Sequence, residues 1–183
     1  MNTSKTRIPL LALAGILAIV ITGTAQAGGN YTTHSKTNVV KALKANGNFG
    51  TLVTAIKTAG LARTLKGPGP YTVFAPDDEA FGKLPKGTLD GLLKDKQKLK
   101  SILLFHVVSR ELTPSDLADQ FGPRHEADVA RKESLMTANG EKVTVEERSD
   151  TYYVGGARIV GKPIKTGNGI IYTIKEVLMP PNQ

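Results

Sequence analysis

The sequence predicts an α+β fold, with helices gathered in the first half and short strands in the second. Between Thr37 and Gln120 apolar residues return at three- and four-residue intervals between helix caps. From Glu133 onward, β-rich runs of four to six residues are separated by Asn139-Gly140, Ser149-Asp150, Gly155-Gly156 and Gly167-Asn168-Gly169, and Asn-Gly and Gly-Gly between such runs are hairpin signals because those turns need positive φ. Helices in one block and strands in another indicate segregated α+β, because an alternating α/β sheet interleaves them.

Thr37 is a candidate cap for a short helix carrying Val39, Val40 and Leu43 and ending at Asn46-Gly47. Phe49, Leu52, Val53 and Ile56 recur at i, i+3, i+4 and i+7, one face of an amphipathic helix that Gly60 stops. Leu61 to Lys66 adds another helical turn, and Gly67-Pro68-Gly69-Pro70 delivers the chain into a strand over Tyr71 to Ala75, whose aromatic and β-branched residues suit a half-buried pleated surface. Pro76 ends that strand, having no N–H for a ladder. Asp77 is placed to cap a following helix, with Asp78 and Glu79 in its first turn, where carboxylates meet unpaired N–H groups and the positive end of the dipole. Gly82 and Pro85 close it.

Thr88 to Lys94 and Lys96 to Leu104 read as two further helices, and Phe105 to Val108 as a short buried strand. Thr113-Pro114-Ser115-Asp116 is a helix start, with a hydroxyl at the cap, proline at the first position and a carboxylate at the third. Pro123 to Lys132 has no period and reads as irregular. The strands expected after it are Ser134 to Thr137, Lys142 to Glu147, Thr151 to Val154, Ala157 to Val160 and Ile170 to Ile174.

The first 27 residues read as a secretory signal peptide. Lys5 and Arg7 precede an apolar run from Ile8 to Ile21, and Ala25-Gln26-Ala27 is a small-residue cleavage site. The run is shorter than the ~20 residues a membrane span needs. Cleavage after Ala27 is expected to leave a flexible arm, small and polar, over residues 28–35, a single domain over residues 36–181, and no transmembrane anchor. The chain has no cysteine, which excludes a thiol nucleophile, a cysteine-ligated metal and a lipidated cysteine, and favours a bacterial periplasmic or secreted origin over a disulfide-dependent one.

The formal net charge of +8 falls by two with the leader, so the mature chain stays basic. Lys94, Lys96, Lys98 and Lys100 are its densest cluster, among Leu92, Leu93, Leu99, Ile102 and Leu103 that read as the apolar side of helical turns. That is a solvated helix face, or a docking surface for acidic polysaccharide, lipid head groups or nucleic acid. Nucleic acid fits least, because the chain reads as exported, is 5% aromatic and carries no recognition motif.

No catalytic, metal or cofactor site is expected. His34 lies in the arm and His125 in the irregular stretch, and no serine sits in a strained glycine elbow. The spacing of a calcium loop does not follow Asp77, Asp78 and Glu79, and Gly67-Pro68-Gly69-Pro70 has prolines where a phosphate loop needs backbone donors.

Three segments, in this order, resemble the fasciclin domain family. They are Tyr71 to Phe81 (YTVFAPDDEAF), Leu104-Phe105-His106-Val107-Val108, and Asn168 to Pro181 (NGIIYTIKEVLMPP). The resemblance implies a wedge-shaped β-sandwich of about seven strands with several helices, exported, non-enzymatic and used in adhesion or surface interaction. It gives His106 a hydrogen bond to the acidic residue of the first box, Asp78, as a structural tether. It also makes Phe105, His106 and Val107 candidates for contact with a protein or polysaccharide at the cell surface or matrix. The chain has Tyr172 where the family often has histidine, Lys175 where it has aspartate, and Glu176-Val177-Leu178 in place of the Asp-Ile motif of animal matrix relatives, which argues against integrin recognition. Some exported relatives bind carotenoids, so a soluble carrier of an apolar small molecule is the second reading; low aromatic content and no surplus of apolar residues weigh against it.

Overall fold

In the computed structural model, residues 32–34, 37–120, 131–149 and 151–181 are described. The expected signal peptide and His125 lie outside them. Of the arm expected to be flexible only β1 (Thr32–His34) is described, and there its backbone is a strand paired in parallel with a later one.

Local chemistry sets the helices. Asn38, not Thr37, caps α1 (Val39–Asn46), accepting a hydrogen bond from Lys41 N at 3.0 Å, and Gly47 ends it at φ 86°. Phe49 stands just outside α2 (Gly50–Thr58), its ring 2% exposed. α3 (Ala62–Lys66) leads to β2 (Tyr71–Pro76), and α4 (Asp78–Gly82) follows, with Asp77 accepting from Ala80 N at 2.8 Å. Pro76 is the last residue of β2, opposite Ile174. α5 (Thr88–Lys94) and α6 (Lys96–Phe105) are separated only by Asp95, whose carboxylate caps α6 through Gln97 N and Lys98 N. β3 (Val107–Val108) and α7 (Pro114–Gln120) complete the first half; Thr113 and Asp116 bond reciprocally at the start of α7 as a capping box.

The second half is β4 (Arg131–Met136), β5 (Lys142–Arg148), β6 (Thr151–Val154), β7 (Ala157–Thr166) and β8 (Gly169–Ile174). Seven strands follow one path, β3-β2-β8-β7-β6-β5-β4, with β1 branching from β7. The β2·β8 and β1·β7 pairs are parallel and the others antiparallel. Just past β4, Ala138 N donates to Val107 O of β3 at 2.7 Å, so the two ends of the path meet and the sheet is nearly closed. The fold is α+β, with its helices in the N-terminal half.

β7 runs ten residues, well beyond the Val160 at which the pattern predicts its end. A register shift between Val160 and Ile164 and Gly161 at φ 71° mark a bulge, which with Pro163 breaks the two-residue alternation while the strand continues. α6 likewise overruns the sequence expectation: Phe105 is its last residue, His106 its C-cap, and only Val107 and Val108 pair with β2.

Two apolar cores lie on opposite faces of the central strands. Val73, Ala75 and Ile171 face the helical core with Leu43, Leu52, Ile56 and Ile102. Phe74, Ile170, Tyr172 and Ile174 face the interior of the folded sheet with Val108, Val143 and Val154. The alternation along β2 and β8 is the period of two that a strand imposes.

Candidate functional site

The three family segments converge where α6 ends, beside the closure of the sheet. His106 is 2% exposed and every polar atom it carries has a partner within the chain. Its backbone N donates to Leu103 O and its carbonyl accepts from Phe74 N of β2 at 2.9 Å. Its ring Nε2 accepts from Leu178 N at 2.9 Å, so that nitrogen carries no proton. The proton therefore sits on Nδ1, which donates to Ile102 O at 2.8 Å. Burial pushes the imidazole down from 6.5 to about 4, against the hydrogen bond to Ile102, which pulls it up. A neutral, doubly bonded ring ties the end of α6 to the C-terminal segment.

This corrects two expectations. Asp78 is not the partner of His106. It accepts from Gly50 N at 3.1 Å and Thr51 N at 2.7 Å, capping α2 in place of Phe49, which has no oxygen to offer. Desolvation works to raise the Asp78 carboxyl, and the hydrogen bonds from Thr51 and Gly50 outweigh it, leaving it below the usual carboxylate range. Nor do Phe105, His106 and Val107 offer a contact surface. All three are buried, at 4%, 2% and 3% exposure, because the seam they form is where the two cores meet.

The first and last segments are joined instead through Lys175. Its ammonium lies 2.9 Å from Asp77 Oδ2 and 2.5 Å from Glu79 Oε2, and those two hydrogen bonds raise its pKa. Lys175 and the acids Asp77, Asp78 and Glu79 line, with Asn48, a cleft of about 280 Å³. A lysine at this position thus supplies the cation for two of the three acids.

Sequence reasoning missed Asn168, which reads there only as a turn residue. Its Nδ2 donates to Leu65 O and Gly67 O, and its Oδ1 accepts from Val39 N, so one amide holds the end of α3 and the start of α1 against the β7–β8 hairpin. The flanking chain approaches closely enough that a Cβ on Gly69 would overlap the carbonyl of Asn168. Thr72 was also missed. Fully buried, its hydroxyl donates to Arg110 O and accepts from Leu112 N, fastening the segment after β3, while Tyr172 donates to Leu112 O at 2.7 Å. Asparagine inside Gly-Asn-Gly, and a threonine on a buried strand face, are the signals that point to such roles.

The outer side of α6 is different in kind. Lys96, Gln97, Lys100 and Ser101, with Leu104, line an open groove of about 530 Å³ whose other wall holds Ala59, Ala138 and Asn139. Lys96, Lys98 and Lys100 are exposed and carry no ion pair among the described residues.

The fasciclin domain family model matches residues 47–180. The chain belongs to the fasciclin domain family. Among its relatives, the fasciclin chain is 34% identical over 151 residues to Protein sll1483 of Synechocystis, a match covering 81% of this chain and 77% of that protein. It is 35% identical over 150 residues to the cell surface glycolipoprotein MPB83 of Mycobacterium bovis, covering 79% and 61%. The fold is similar to a fasciclin domain pair from the insect cell adhesion molecule fasciclin I, with a TM-score of 0.60 at 21% identity, covering 79% of this chain and 51% of that one. The chain therefore spans about half of that domain pair. No helix among the described residues of this fasciclin protein is long and apolar enough to cross a membrane.

Proposed function

We propose that this fasciclin protein is exported and non-enzymatic, and acts in adhesion or surface interaction by meeting a protein or polysaccharide at the cell surface or in the matrix. The observation that supports this best is the family match over residues 47–180, with a relative named as a cell surface glycolipoprotein and a fold like that of a cell adhesion molecule. In this reading the leader is removed after Ala27, the product is periplasmic or secreted, and residues 36–181 are the working domain. The side chains that invite a chemical role agree with it: His106, Asp77 and Asp78 are occupied by internal hydrogen bonds. Binding then falls to surface residues other than these.

The carrier reading has no comparable support. Among the described residues, the cleft beside α6 mixes Ala59, Leu104 and Ala138 with two lysines, glutamine, serine and asparagine, and the cleft beside α4 is lined by Asn48 and four charged side chains, and neither is a mainly apolar lining for a polyene.

Deleting the chain in its native host should reduce attachment, with recovery on complementation, and the purified mature chain should capture envelope or matrix material. Unchanged attachment together with a structured visible absorption band that follows the protein through gel filtration would replace this reading with the carrier.

A further inference from the structure

We infer that the open groove along the outer face of α6 binds an acidic polysaccharide, with Lys96 and Lys100 meeting its carboxylate or sulfate groups. This rests on the surface-interaction reading and names its partner class and its site. The two lysines stand four residues apart, and are therefore neighbours about 6 Å apart on one side of the helix. Gln97 and Ser101 repeat that spacing one position on, so a row of amide and hydroxyl groups runs beside the row of charge. Leu104 gives the floor an apolar surface.

The opposite wall carries an oriented donor. Asn139 Oδ1 accepts from Glu141 N at 3.0 Å and from Thr137 Oγ1 at 2.5 Å, which leaves its Nδ2 hydrogens for a ligand. Among the described residues no acidic side chain lines the groove. Lys132, Arg148, Lys165 and Lys175 are each paired with a carboxylate, whereas Lys96 and Lys100, like Lys41, Lys44 and several other surface lysines, carry no ion pair among the described residues; what sets these two apart is the groove they line. Two unpaired ammoniums at one helical turn repel weakly, and an anion between them reverses that term.

Polar donors between cations in a concave strip suit a hydroxylated, charged polymer strand. A bilayer is planar and would call for exposed apolar anchors, yet Met136 and Met179, the large apolar residues exposed among the described ones, are not among the groove's lining. Among the described residues no aromatic ring lines the groove for nucleic-acid bases to stack on.

The test is titration of the mature chain with polygalacturonate, beside neutral dextran, at low salt. Lys96→Gln with Lys100→Gln should weaken binding roughly tenfold, whereas Lys41→Gln with Lys44→Gln, the same charge change on exposed positions of α1, should weaken it less than about twofold. Equal weakening by both pairs overturns the inference, because net charge alone would then account for binding. So does tighter binding to phosphatidylglycerol vesicles or to DNA than to polygalacturonate. A wild-type chain that ignores polygalacturonate yet still supports host attachment sinks the groove assignment alone; loss of both sinks the surface reading as well.

Discussion

The last turn of α6 and its outer face are built from one helix, but the protein uses their polar groups differently. At the inner end His106 has its backbone and both ring nitrogens committed to Leu103, Phe74, Ile102 and Leu178. On the outer face Lys96 and Lys100 stand exposed without an ion pair among the described residues. A motif whose polar atoms are all internally bonded identifies a fold, since altering it disturbs packing. A surface with unbonded donors is where a partner finds something to bind. In this chain the polar atoms of His106 turn inward to the seam, while the lysines of the proposed binding face stand on the exposed side of α6, the two sharing only Leu104 of the family segments.

The sharpest way to break the comparison is at His106. His106→Ala removes both ring bonds, strands Leu178 N and Ile102 O in the interior and opens a cavity, so it should cost roughly 3 to 5 kcal/mol, read as a lower urea midpoint. Groove binding, measured well below the melting temperature, should be unchanged.

Acid should act through the same residue. The His106 pKa is depressed in the folded chain to about 4, below the 6.5 it has when free. The unfolded chain therefore binds the extra proton first as pH falls. The stability linked to His106 is complete above pH 6.5 and is lost between 6.5 and about 4, by about 3 kcal/mol. His106→Gln should flatten urea midpoints across that window. A slope that survives in the variant would place its origin elsewhere.

Asp78→Ala should cost about 1 kcal/mol by uncapping α2. Combined with His106→Ala, its effect should add to within about 0.5 kcal/mol, because the two side chains share no partner. A larger coupling energy would restore the tether between them. Smallest of all should be Lys175→Met, a slight drop in urea midpoint that shrinks further at high salt, since Lys175 and Glu79 are 33% and 65% exposed.

What could be read from the sequence is what local chemistry decides. The Asp77 cap, the Thr113–Asp116 box and the Asn139-Gly140 turn each need only neighbours within a few residues. Apart from the cap of α1, which falls one residue later than expected, the main departures are long-range. β7 persists through a bulge at Gly161 because β8 pairs it on both sides of the break. The His106 ring meets Leu178, 72 residues on, and Asp78 meets Gly50 and Thr51 of another helix. Neither partner leaves a mark on the sequence around the histidine or the aspartate. The lysine row was legible as a basic helix face, but the arrival of Asn139 from the β4–β5 turn, which makes it a groove, was not.

The division between a structural seam and a binding face is tested most directly by one attachment assay on host envelope material, run on His106→Gln and on Lys96→Gln with Lys100→Gln at a temperature where circular dichroism reports both as folded. The seam variant should attach like wild type despite its lower stability, and the lysine pair should lose most of its attachment at unchanged stability. The reverse pattern, with attachment lost at His106 and kept without the lysines, would contradict the assignment of binding to the outer face of α6.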